Sequence, residues 1–94
     1  MTQEEDDGML SKTVVFRCDE SLQMKVVAVL IQKASVFRSS VWLSRGDRRA
    51  NAKSLLGVMS LGIENQADLT ITVDGDDETE ALEAVTSYLT HPEA

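Results

Sequence analysis

His91 and Cys18 are the only histidine and the only cysteine in the sequence, so little nucleophilic or metal chemistry is open to it. Zinc and iron sites are built mainly on His and Cys, and a single one of each makes such a site unexpected. A Ser-His-Asp or Cys-His triad would have to be built on His91, which stands beside Pro92 at the C-terminal end and reads as solvent-exposed. Cys18 has no partner for an intrachain disulfide and reads as a small core residue. The carboxylates gather in two runs, Glu4–Asp7 and Asp74–Glu83. Paired carboxylates can do acid–base work, but here they read as a solvated run and a helix cap. Neither GxGxxG nor GxxxxGK[ST] occurs. The expectation is a protein without catalysis, metal or cofactor.

The charge balance narrows the partners. A formal net charge of -7 and a pI near 4.5 repel nucleic acid and anionic lipid, and favour basic protein surfaces. No apolar run approaches the ~20 residues that cross a membrane. The first residues are acidic instead of basic and then apolar, so no secretory signal is read and the expected location is the cytoplasm. With 94 residues, 43% of them hydrophobic, one domain is expected. Residues 1–10 read as a disordered acidic tail and 11–94 as the folded domain.

The elements that would position any site follow from periodicity. Val14, Phe16 and Cys18 alternate with Thr13, Val15 and Arg17, predicting a strand over Lys12–Cys18. Asp19, Glu20 and Ser21 offer helix caps. Val27, Leu30, Ile31 and Ala34 then mark the buried stripe of a helix from about Leu22 to Ser35. Val41 and Leu43 alternate with Ser40, Trp42 and Ser44 in a second strand. A turn through Arg45-Gly46-Asp47-Arg48 leads to a short third strand ending at Ala52. The Arg-Gly-Asp triplet resembles an adhesion signal and reads as a hairpin tip. Ser54 to Ser60 predicts a brief helix with Ser54 as its N-cap, weakened by Gly57 and Gly62. Leu69, Ile71 and Val73 form a fourth strand. Asp77 and Glu80 predict a capping box for a last helix running to about Thr90. The order βαββαβα predicts an α+β sandwich with helices on one face of a small sheet.

The most informative stretch is Lys53-Ser54-Leu55-Leu56-Gly57-Val58-Met59-Ser60-Leu61-Gly62. By composition it is a short amphipathic helix with a hydroxyl at its start. It also closely resembles the regulatory-serine motif of the HPr family, the phosphocarrier proteins of the bacterial sugar phosphotransferase system. The resemblance runs from about Thr13 to Leu89 and implies an open-faced sandwich, a four-stranded antiparallel sheet covered by three helices.

The family's other motif, Gly-Ile/Leu-His-Ala-Arg-Pro-Ala, is matched by Ser21-Leu22-Gln23-Met24-Lys25-Val26-Val27. Gln23 stands at the phosphohistidine position, Lys25 at the arginine and Val26 at the proline. An amide is not a nucleophile and forms no stable phosphoramidate, and Lys25 lacks the planar fork that grips phosphate. The chain therefore resembles the catabolite-repression HPr-like branch, which lacks the active histidine and keeps the serine. That resemblance implies phosphorylation of Ser54 by an HPr kinase/phosphorylase and docking to a LacI-type catabolite control regulator. It also implies a docking patch at Leu55, Leu56, Met59, Met24 and Ala28.

Val29 and Val36 lie roughly opposite the buried stripe of the first helix and are expected to be exposed. With Met24 and Val26 they would make an extra apolar interface, the basis for expecting a homodimer. Two other readings stand beside the regulatory one. The first is a binding module of the same fold that is never phosphorylated. The other, ranked last, is a carrier using another nucleophile such as Ser21.

Overall fold

The computed structural model describes residues 9–17 and 20–90. The expectations for Cys18, His91 and most of the acidic tail lie outside them. Seven regular elements follow one another: β1 (Met9–Val15), α1 (Gln23–Ser35), β2 (Ser40–Arg45), β3 (Arg48–Asn51), α2 (Leu55–Ser60), β4 (Asp68–Asp74) and α3 (Glu78–Thr90). A single 3-10 turn, Glu20–Leu22, leads into α1. The four strands form one antiparallel sheet in the order β1-β4-β2-β3, so β1 and β3 are its edges.

Strict alternation decides which sheet face is covered. Val41 and Leu43 of β2, Ala50 of β3, and Leu69, Ile71 and Val73 of β4 are buried beneath the helices. Trp42, Ser44, Thr70 and Thr72 belong to the other, uncovered face, where successive side chains must point. On that open face the Arg49 guanidinium lies over the Trp42 ring at 4.6 Å. The Thr13 and Thr70 hydroxyls meet there at 2.8 Å. This is the open-faced sandwich expected from the sequence.

Four boundaries or faces differ from expectation. Strand β1 begins at Met9 and ends at Val15. It takes in Met9 and Leu10, expected in the tail, because Asp74 and Val73 of β4 are there to pair with them and Leu10 packs on the core. On α1 the buried residues are Val26, Val27, Leu30 and Ala34, with Ile31 only half-buried. Val26, expected on the outer face, is buried because it stands four residues before Leu30 and shares its side of the helix. Val29, expected to be exposed, is half-buried, whereas Val36 beyond the helix end is 76% exposed.

The predicted Asp77–Glu80 capping box does not form. The Asp77 carboxylate instead accepts the Arg38 N–H at 2.9 Å, the Ser39 N–H at 2.9 Å and the Ser39 hydroxyl at 2.5 Å. It thereby ties the start of α3 to the corner between α1 and β2. Gly75 allows the close approach that this needs. Its φ is +153°, and a Cβ there would lie 2.6 Å from the Ser39 Cα.

Candidate functional site

Ser54 sits where the sequence placed it, as the N-cap of α2. Its backbone is extended, and its hydroxyl accepts the Gly57 N–H at 3.2 Å. The residue is half-buried. With six residues and an internal glycine, α2 cannot hold itself in water, and its helical form depends on its surroundings.

Those surroundings are specific. Before the helix, the Lys53 ammonium donates to the Phe37 carbonyl at 2.8 Å, just past the C-terminal end of α1. That carbonyl end is electronegative, which suits a cation. After the helix, the Gln23 side-chain amide donates to the Ile63 carbonyl. The Arg48 guanidinium reaches the Ser60 carbonyl at 3.1 Å. Arg45 donates to the Gly62 carbonyl and pairs with Glu64 at 2.8 Å. The cations of the β2–β3 hairpin thus satisfy carbonyls that the short helix leaves free. Because Lys53 meets the far end of α1 and Gln23 its near end, α2 lies antiparallel alongside α1.

Held in this way, α2 turns its apolar residues two ways. Val58 is fully buried, while Leu55, Leu56 and Met59 are 48%, 80% and 47% exposed. On α1, Met24 is 62% exposed and Ala28 is also exposed. The structure therefore brings the sequence-predicted residues Ser54, Leu55, Leu56 and Met59 onto one short element, beside the helix that carries Met24 and Ala28. Lys25 projects into solvent, and Gln23 is half-buried and spent on its bond to Ile63. The half-buried Val29 and the exposed Val36 do not form a matched exposed pair.

Sequence reasoning missed the binding roles of Lys53, Arg45 and Arg48. Lys53 alone carried a signal, a cation one residue before a helix cap. It also missed the Asp77–Ser39 contact, whose groups stand far apart in the chain. Donation by the Ser39 hydroxyl, reinforced by the Arg38 N–H, lowers the Asp77 carboxyl to about 2. Among the described residues no group of His, Cys, Asp and Glu is arranged to hold a metal ion. No described helix is long and apolar enough to cross a membrane.

The fold is an open-faced α+β sandwich with a serine-capped short helix beside the first helix, and the family described as the PTS HPr component phosphorylation site matches residues 10–91. This chain belongs to the HPr family. The HPr-like protein Crh of Bacillus subtilis is 36% identical over 81 residues, which is 86% of this chain and 95% of that protein. The crystal structure of HPr from Bacillus anthracis superposes with a TM-score of 0.85 at 34% identity, covering 89% of this chain and all of the other. The crystal structure of Bacillus subtilis Crh, described as a dimer with a swapped domain, gives a TM-score of 0.66 at 29% identity, covering 95% of this chain and 93% of that one. Within the family the chain resembles the Crh branch.

Proposed function

We propose that this protein is a regulator of the phosphotransferase-system family, phosphorylated on Ser54 and read by a partner at the apolar patch of α2 and α1. The carrying observation is the placement of a half-buried serine hydroxyl at the head of a helix whose Leu55, Leu56 and Met59 face solvent. A phosphate there adds about -1.5 to -2 charges next to helix N–H groups that have no carbonyl partner within the helix. The product is an anionic knob beside an apolar surface, suited to a partner that offers Arg or Lys and an apolar cleft. By family resemblance the modifying enzyme is an HPr kinase/phosphorylase, the reader is a LacI-type catabolite control regulator, and the setting is the cytoplasm. Phosphohistidine transfer is not part of this reading, because Gln23 offers an amide at the carrier position.

Paired phosphorylation assays test it. The protein is incubated with HPr kinase and ATP, and separately with phosphoenolpyruvate and Enzyme I, then weighed by mass spectrometry. One phosphate gained only in the first, and lost in Ser54→Ala, is the expected result. A phosphate gained from Enzyme I would overturn it and return the carrier reading, with Ser21 the first position to examine.

A second reading keeps the patch and drops the phosphate. Leu56 is 80% exposed, a large apolar side chain offered to solvent with no modification needed. On this reading the chain is a binding module, and a second copy of itself is a candidate partner through the patch and Val36. Sedimentation at micromolar and millimolar concentration decides: a dimer weakened by Leu56→Lys supports it, and a monomer throughout removes the homodimer.

A further inference from the structure

The Phe37 carbonyl and the Arg38 N–H are the two sides of one peptide group. The Lys53 ammonium holds its oxygen at 2.8 Å, and the Asp77 carboxylate takes its N–H at 2.9 Å. A cation on the carbonyl draws electron density toward the oxygen and makes the N–H a better donor. Hydrogen bonds in series strengthen one another by roughly 10–30%. The same carboxylate also receives the Ser39 N–H and hydroxyl. The corner sits tight against the approach to α3, because Gly75 leaves no space for even one added carbon beside Ser39. The movable part of this chain of contacts is Lys53, a compact charge on a flexible stem. It is also the residue next to Ser54.

We propose that this peptide group couples the starts of α2 and α3: a negative charge placed on Ser54 draws the Lys53 ammonium off the Phe37 carbonyl, and the loss is registered at Asp77 and along the corner Val36–Ser39. The inference rests on the reading of Ser54 as the modified residue and extends it. Modification would then alter the hold on a corner where Val36 and Arg38 are exposed, not only the head of α2. Other charges near Asp77 are Asp74, Asp76 and Glu78 on its own segment and Arg38 across from it. The Glu78 carboxylate is engaged with the Gly75 N–H at 3.0 Å.

NMR on the full chain tests the coupling by two readouts. One is the Asp77 side-chain carboxyl followed down to pH 1.5; the other is the Arg38 and Ser39 amide proton shifts at pH 7, which need no acid stability. The variants are Lys53→Met, Ser54→Asp and both together. Lys53→Met is expected to raise the Asp77 midpoint by about 0.5 pH unit, about threefold in proton affinity, and to move the Arg38 amide upfield. Ser54→Asp is expected to shift both in the same sense, by less than half as much once Lys53 is Met. Unmoved Asp77 and Arg38 signals in Lys53→Met overturn the proposal. So does a Ser54→Asp shift of equal size with and without Lys53, which would be plain repulsion through space. A Ser54 that no kinase modifies would strike the proposed function and leave the Lys53→Met result standing, so the two failures are separable.

Discussion

The side-chain amide of Gln23 donates to the Ile63 carbonyl, tying the first residue of α1 to the chain just beyond α2. The head of α1 is thus held by a strut. Replacing the donor while keeping the volume, as in Gln23→Leu, leaves a half-buried carbonyl without its partner. The expected cost is about 1 kcal/mol. Hydrogen exchange is expected to quicken at residues 61–65, beside the strut, with little change in α3. Equal acceleration across all three helices would mean that Gln23 does nothing local.

Ser54→Ala removes the acceptor for the Gly57 N–H and is expected to destabilise the protein by about 1 kcal/mol. For a domain of this size that lowers the melting temperature by about 4–8 °C. Ser54→Asp keeps a side-chain oxygen at the cap and adds a charge favoured by the helix dipole, so it should melt close to wild type. Thermal denaturation of the three proteins side by side checks the order.

The Asp77 carboxyl is lowered from 3.8 to about 2, foremost by the Ser39 hydroxyl. A depressed carboxylate favours the fold when ionised. Its contribution is complete above about pH 4 and disappears as pH falls through 2. Ser39→Ala should therefore lower stability at neutral pH, and the gap to wild type should narrow steadily between pH 4 and pH 2. Urea unfolding at a series of pH values measures it. A gap independent of pH would assign the loss to packing around Ser39.

Lys12 shares a side of the edge strand β1 with Leu10 and Val14, which pack on the core, yet it is exposed beside Glu80 and Glu83 of α3. A charge on the inward side of an edge strand discourages pairing with a second copy. Lys12→Val is expected to keep the fold and to raise self-association, seen as a concentration-dependent increase in mass by light scattering. An unchanged monomer fraction would show that the edge is guarded by something else.

Local chemistry settled much of this protein. Alternation at Val41, Leu43, Leu69, Ile71 and Val73 and the 3.6-residue stripe of α1 were enough to place the strands and the first helix, because burial on one face requires those periods. Ser54 was legible as a cap, since capping involves atoms only three residues apart. That His91 is the single histidine was legible as a bare residue identity. Tertiary structure decided what depends on groups far apart in the chain. Asp77 and Glu80 have the spacing of a capping box, but the Ser39 and Arg38 N–H groups, brought close by the α1–β2 turn, claim the carboxylate first. Val26 could have been sorted by its spacing from Leu30, but Val29 could not, because the width of the buried stripe depends on how α2 and α3 crowd α1. The short helix at Ser54 is fixed at its ends by Gln23 of α1, Arg45 of β2, Arg48 of β3 and Lys53 of the preceding turn, and convergence of that kind has no signature in linear order.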